Sequence, residues 1–342
     1  MKKLILDSIG TPPKFKFVET NIPKLSDNEV LIKVKAVGFC YHDLLISEGV
    51  LRRGVKENLV LGHEFSGQVV GFGKSIEDVC MNDKVVCTLT SSCGECNQCI
   101  DGLDYECLNA KGFGHGADGG LAEYVAVKRN NIIKLPQSLD MNNSALISCP
   151  MAISFKALYD VAKLQKDQTI VIFGCGGGLG VHAAQIANSL GANVIGFTSS
   201  PDKLQKLEPF VKQLFLIEEG LNPAEVVFSL TNNKGADVVF NPVGSLFFKT
   251  AIECLANKGK MIILGQVDSS KVSINLAEIL FREISIMGSV GADKHHINKV
   301  IDMMFEKKIC PVIDKVMPAE RISEAYQLLK SNLVMGRIIL TL

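Results

Sequence analysis

The chain has 342 residues and a mass of 37.1 kDa, enough for two domains, because a single core rarely grows past about 250–300 residues. Lys+Arg and Asp+Glu balance at 36 each, which leaves no basic footprint for nucleic acid or an anionic membrane and favours a small-molecule partner. The first apolar run stops at Asp7, too short for a signal-peptide core, and no segment approaches a membrane span, so the expected location is cytoplasmic.

From Lys2 to about Leu135 the sequence alternates short β-branched runs (EVLIKVKAVGF, GQVVGFG, DKVVCTL, AEYVAVKRNNIIKLP) with Gly, Asn and Asp, which predicts an all-β lobe. Within it, VGFCYHD places Cys40 just after a strand, with His42 and Asp43 following, and LGHEFSG supplies His63 and Glu64. Cys149 comes later, in SALISCPM. Each of these has an ordinary reading: small buried cysteines, a satisfied core histidine, a surface acid. Together, one His and two Cys from separate segments would suit a catalytic zinc, which takes three protein ligands and keeps its fourth position open.

The stretch CGECNQCIDGLDYEC brings Cys93, Cys96, Cys99 and Cys107 into one loop, a lobe of about residues 91–110. Four thiolates so close in sequence can close a tetrahedral Zn²⁺ site with no position left for substrate, which makes the metal structural. Reduced thiols without metal, or an iron–sulfur cluster, are the alternatives, and the all-sulfur set favours zinc. Eleven cysteines, an odd number that includes this spacing, argue for reduced thiols over disulfides, with Cys80, Cys87, Cys175, Cys254 and Cys310 as small apolar fillers.

From about Ser144 the texture changes to strands alternating with helical segments, which predicts a parallel, doubly wound sheet. Its first unit, TIVIFGCGGGLGVHAAQIANSL, is a strand, a glycine turn and a helix, a setting that aims backbone N–H groups at a diphosphate. The candidate cofactor-binding residues there are Gly174, Gly176, Gly177, Gly178, Leu179 and Gly180, with Gly174, Gly177 and Gly180 in a G-x2-G-x2-G pattern. The next strand ends in Thr198, Ser199 and Ser200, with Lys203 one turn on and no acid to bond an adenosine ribose. A carboxylate there would repel a 2′-phosphate, whereas hydroxyls and a lysine can bind one, so NADP(H) is expected over NAD(H). The tail after Gly291 reads as two helices and a last strand, GRIILTL.

GHEFSGQVVGFGKSI matches the signature G-H-E-x2-G-x5-G-x2-I at every fixed position. With the four-cysteine lobe, NDKV, DGGLAEYV and the glycine loop, the chain resembles the medium-chain dehydrogenase/reductases of the zinc-dependent alcohol dehydrogenase type over nearly its whole length. The resemblance implies a GroES-like catalytic domain over 1–150 completed by 292–342, and a Rossmann domain over 151–291. It also implies a catalytic zinc on Cys40, His63 and Cys149, with Glu64 as a carboxylate that can exchange with substrate and Asp43 orienting His63. Arg337 matches a basic residue that reaches the cofactor diphosphate in relatives. The implied activity is hydride transfer between the nicotinamide and a zinc-bound alcohol or aldehyde. The implied assembly is a homodimer or homotetramer through the edge strand EISIMGSV.

His42 stands where classical members carry the Ser or Thr that starts a proton relay, and Leu45 replaces the usual distal His. His42 is therefore either the acid/base itself or structural. CYHDLL, CNQC, DGGLAEYV, VIGFTSS and GQVDSS are also similar to the acryloyl-CoA reductases of the same superfamily, which makes NADPH-dependent enoyl-CoA reduction the competing activity. Arg52, Arg53 and Lys56 could rim a CoA site or simply form a solvated loop.

Overall fold

The computed structural model describes residues 1–267 and 270–342; Asp268 and Ser269, part of the GQVDSS segment, lie outside the described residues. Contacts along the chain divide it into two units, one of residues 1–152, 291–302 and 313–342, the other of 153–290 and 303–312.

The first unit is built on a seven-stranded sheet around the strand Glu29–Phe39. Val30, Ile32, Val34 and Ala36 alternate onto its core face, as a half-buried strand requires, and the last residues, Val37 to Phe39, are buried throughout. That strand pairs antiparallel with Glu64–Phe72 on one side and with Arg337–Thr341 and Tyr124–Lys128 on the other. The C-terminal strand Arg337–Thr341 thus sits deep in the sheet, extended by the parallel strand Ile313–Pro318. Phe39, Leu44, Leu61, Phe65, Leu121 and Tyr326 fill the core.

The second unit has six parallel strands: Thr169–Ile172, Asn193–Thr198, Gln213–Leu216, Ala236–Asn241, Leu255–Ile263 and Ser285–Gly288. In space they run third, second, first, fourth, fifth, sixth, the Rossmann order, which leaves a crevice beyond the carboxyl end of the first strand. The architecture is therefore α/β, a GroES-like β-rich unit plus a doubly wound sheet. One helix is shorter than its pattern suggests: FFKTAIECLANKG stays helical only over Phe248–Glu253, and Leu255 already belongs to the next strand. Leu255 pairs with Ala236, and the register then slips before Lys260 pairs with Val238, with Lys258 between them at φ +63°. Cys87, Cys175 and Cys254 are buried fillers, but Cys80 and Cys310 are exposed. No helix among the described residues is long and apolar enough to cross a membrane.

Candidate active site and metal centres

The sheet register of the first unit assembles a buried polar cluster at one end. Gly38 pairs with Glu64 and Phe39 with Ile338, so Cys40, His63, Glu64 and Arg337 emerge side by side. Gly38 has no side chain where a Cβ would overlap the Glu64 carboxylate. Cys149 reaches the same place from the π-helical turn Ile147–Met151, where Pro150 lacks the N–H that a regular α-helix would use. Candidate ligand atoms of Cys40, His63, Glu64 and Cys149 all lie within 4.8 Å of one another, and all four residues are buried.

Cys40 caps the helix Tyr41–Ser47, accepting from His42 N–H at 3.3 Å, while Asp43 accepts from Cys40 N–H at 3.0 Å. Asp43, fully buried, also accepts from Gly62 N–H at 3.2 Å and stands 3.5 Å from His63 Nδ1. One carboxylate therefore fixes the backbone of both loops and faces the free side of the imidazole, the role of a group that orients a metal-bound His. His63 Nδ1 makes no hydrogen bond in good geometry, with Asp43 the nearest acid.

The electrostatics are those of a site made for a cation. Burial raises the Glu64 carboxyl to about 7 even though Arg337 opposes it. Burial likewise works against a Cys40 thiolate, but a hydrogen bond from Cys149 and the charge of His63 outweigh it and hold Cys40 well below the usual thiol range. Cys149 goes the other way, raised first by its bond to Cys40 and then by burial. The two sulfurs so share a proton that a dication would displace. Cys40 Sγ and His63 Nε2 are 3.4 Å apart, against about 3.6 Å for two ligands of a tetrahedral zinc. The donor set of two sulfurs, one nitrogen and one oxygen fits Zn²⁺.

The four-cysteine lobe is the second cluster, again with all sulfurs within 4.8 Å. The measured pairs are 3.5 Å for Cys96–Cys99, 3.6 Å for Cys93–Cys107 and 3.9 Å for Cys93–Cys99. A tetrahedron with Zn–S of 2.3 Å has edges of about 3.8 Å. A multi-iron cluster, which seats thiolates on different irons, needs a wider cage. Backbone N–H groups set the local thiol acidity: those of Glu95 and Cys96 bring Cys93 down to about 6, while burial pushes Cys99 up to about 12.

In the second unit the helix Gly178–Ser189 begins inside the glycine run, with Gly177 as its cap, so Gly178, Leu179 and Gly180 form the first turn. The three spaced glycines have distinct reasons. Gly174 sits at φ +59°, and a Cβ on Gly180 would overlap the Gly174 carbonyl. A Cβ on Gly177 would press on that same carbonyl. Thr198 is buried and accepts from Ser200 N–H at 3.2 Å, Ser199 is exposed, and Lys203 is buried with its stem over Gly176.

Two family models match the chain: an alcohol dehydrogenase GroES-like domain over residues 26–137 and a zinc-binding dehydrogenase over 178–306. The chain belongs to the zinc-type medium-chain dehydrogenase/reductases. An acryloyl-coenzyme A reductase of Sulfurisphaera tokodaii is 27% identical over 99% of each chain, and an alcohol dehydrogenase of Geobacillus stearothermophilus is 26% identical over 99% of each. Among solved structures, an NAD-dependent alcohol dehydrogenase superposes with a TM-score of 0.94 at 28% identity, covering all of both chains. As a member of this family the chain is an oxidoreductase, and its Cys/His clusters are the candidates for zinc.

Three features of this oxidoreductase escape its sequence. Arg337 donates from Nε to both Glu64 oxygens, at 3.1 and 3.2 Å, with its side chain buried. His115 stacks on His42 with ring centroids 5.4 Å apart, and His42 in turn meets His63 edge-on at 5.0 Å. Tyr105, from the cysteine lobe, lies on Gly291. None has a local pattern, since Arg337 and Glu64, His115 and His42, and Tyr105 and Gly291 are far apart along the chain.

Proposed function

We propose that this protein is a zinc-dependent NADP(H) alcohol dehydrogenase working mainly as an aldehyde or ketone reductase in the cytoplasm, with one catalytic and one structural zinc per subunit. The observation that carries this reading is the convergence of Cys40, His63, Cys149 and Glu64 in one buried site of mixed donors. Zinc held there would act as the Lewis acid on the substrate oxygen. Glu64, anchored by Arg337, is the carboxylate placed to enter or leave the ligand set, and Asp43 orients His63. Arg337, held at its Nε by Glu64, is the proposed contact to the cofactor diphosphate. His42 is the proposed acid/base: its Nδ1 is buried without a hydrogen-bond partner. Burial holds the His42 ring below its ordinary pKa, which favours the neutral imidazole that can carry one proton to or from a substrate oxygen.

The cofactor would set its diphosphate on the first turn of Gly178–Ser189 and a 2′-phosphate among Thr198, Ser199, Ser200 and Lys203. Its test is the ratio of kcat/KM for NADPH and NADH: at least about tenfold in favour of NADPH is expected, from one charge-assisted phosphate contact. A tenfold preference for NADH would overturn the assignment.

Enoyl-CoA reduction is the second reading, favoured by the acryloyl-coenzyme A reductase similarity and by the absence of a hydroxyl at position 42. Arg52 and Arg53 are exposed, but Lys56 is held by Asp118 at 2.7 Å, which weakens a basic rim. NADPH oxidation with aldehydes and ketones, set against a short enoyl-CoA in metal-replete protein, decides between them. Turnover of the enoyl-CoA alone would overturn the first reading. The assembly proposed is a homodimer or homotetramer through the sheet edge Ser285–Gly288, beside which Leu276, Leu280 and Phe281 are exposed.

A further inference from the structure

The four-cysteine lobe touches a segment far from it in sequence. Asp104, between the third and fourth cysteines, is buried, and neither of its carboxylate oxygens makes a hydrogen bond in good geometry. Its charge is met by the Lys294 ammonium, 3.1 Å from Oδ1. The next residue, Tyr105, donates its backbone N–H to Asp293 Oδ1 at 2.9 Å. Its ring covers Gly291, where any Cβ would overlap the aromatic carbons and where φ is +64°. Asp293 in turn starts the helix Lys294–Phe305, its carbonyl accepting from His296 and Ile297. Gly291 is also where the chain re-enters the first unit after the dinucleotide unit.

We infer that the cysteine lobe is a latch on this re-entry segment: metal in the lobe holds Asp104 and Tyr105 in place, and these hold Gly291 to Lys294. The inference rests on the proposed structural zinc. An ion pair and a hydrogen bond from one loop, plus a ring over a glycine, tie the segment to the lobe at three points, and the loop that makes them has no long helix or strand of its own. Closure of the four thiolates around a metal would tie these short turns to one another. Coupling of this kind is reciprocal, so the segment must also hold the metal.

Zinc release to an excess of chelator in a His63→Ala background, where the lobe is the remaining metal site, reads that reciprocity. Lys294→Met and Asp293→Ala are expected to release the lobe zinc about tenfold faster, the effect usual for residues that support metal ligands, and Lys294→Arg to restore the slow rate. In the converse measurement, hydrogen exchange in residues 291–302 should accelerate when the lobe zinc is withdrawn, while the strand Thr169–Ile172 stays protected. Release rates within twofold of each other across the set, or unchanged exchange in 291–302 with the lobe shown empty by metal analysis, would overturn the latch alone. A lobe that binds no metal in the intact protein would overturn the latch and the structural zinc together.

Discussion

The two cysteine-bearing clusters of this oxidoreductase are opposites in construction. Cys93, Cys96, Cys99 and Cys107 come from fifteen consecutive residues, are all sulfur, and are carried on short turns with little regular structure. Cys40, His63, Glu64 and Cys149 come from three distant segments, mix sulfur, nitrogen and oxygen, and are placed by the register of a seven-stranded sheet. On the proposed function the local cluster would depend on its metal for shape, whereas the assembled one has its shape from the sheet register. An all-thiolate site is also saturated, while a site with a carboxylate paired to Arg337 has a ligand that can be exchanged. The proposed function gives structure to the first and chemistry to the second.

The sharpest way to break that contrast is to delete one ligand from each. His63→Ala should lower kcat/KM for carbonyl reduction by at least about a thousandfold, the loss of several kcal/mol of Lewis-acid stabilisation, and remove one of two metals, while leaving the melting temperature nearly unchanged. Steady-state kinetics with elemental analysis of the protein check it; retention of both metals would place the catalytic site elsewhere. Glu64→Gln should be milder, about tenfold in kcat, because an amide oxygen still accepts from Arg337 but the exchanging charge is lost. Cys96→Ser should act the other way round, lowering the melting temperature by about 5–10 °C through loss of metal-coupled folding energy, with kcat and cofactor Kd of the soluble protein within about twofold of the parent. A thousandfold loss of turnover in Cys96→Ser would erase the distinction.

Legibility in the sequence followed the same division. The lobe could be read directly because its candidate ligands are neighbours along the chain, and the glycine loop because its glycines have local reasons: a positive φ at Gly174, and the Gly174 carbonyl close against Gly177 and Gly180. The helix Gly178–Ser189 nevertheless starts three residues before the first Val, because a cap and first turn of glycine and leucine carry no apolar periodicity. Arg337 could be placed only by analogy; its bond to Glu64 follows from Phe39 pairing with Ile338 and Gly38 with Glu64. His115 had no pattern at all, since stacking on His42 is a property of two loops meeting. Cys310 was misread as buried because a cysteine's exposure depends on what covers it, which composition does not record.

What the sequence alone determined about this protein is the alternation of its elements, the glycine turn of its doubly wound sheet and the four-cysteine lobe, all written in short-range spacing. Tertiary structure decided which distant residues meet: Glu64 with Arg337 and Asp43 with the backbone of Cys40 and Gly62 in one buried site, and Tyr105 with Gly291 beside the cysteine lobe. The reason is physical. Backbone hydrogen bonds and turn sterics act over a few residues, whereas burying a charge requires a partner that only sheet register and loop packing can bring to it.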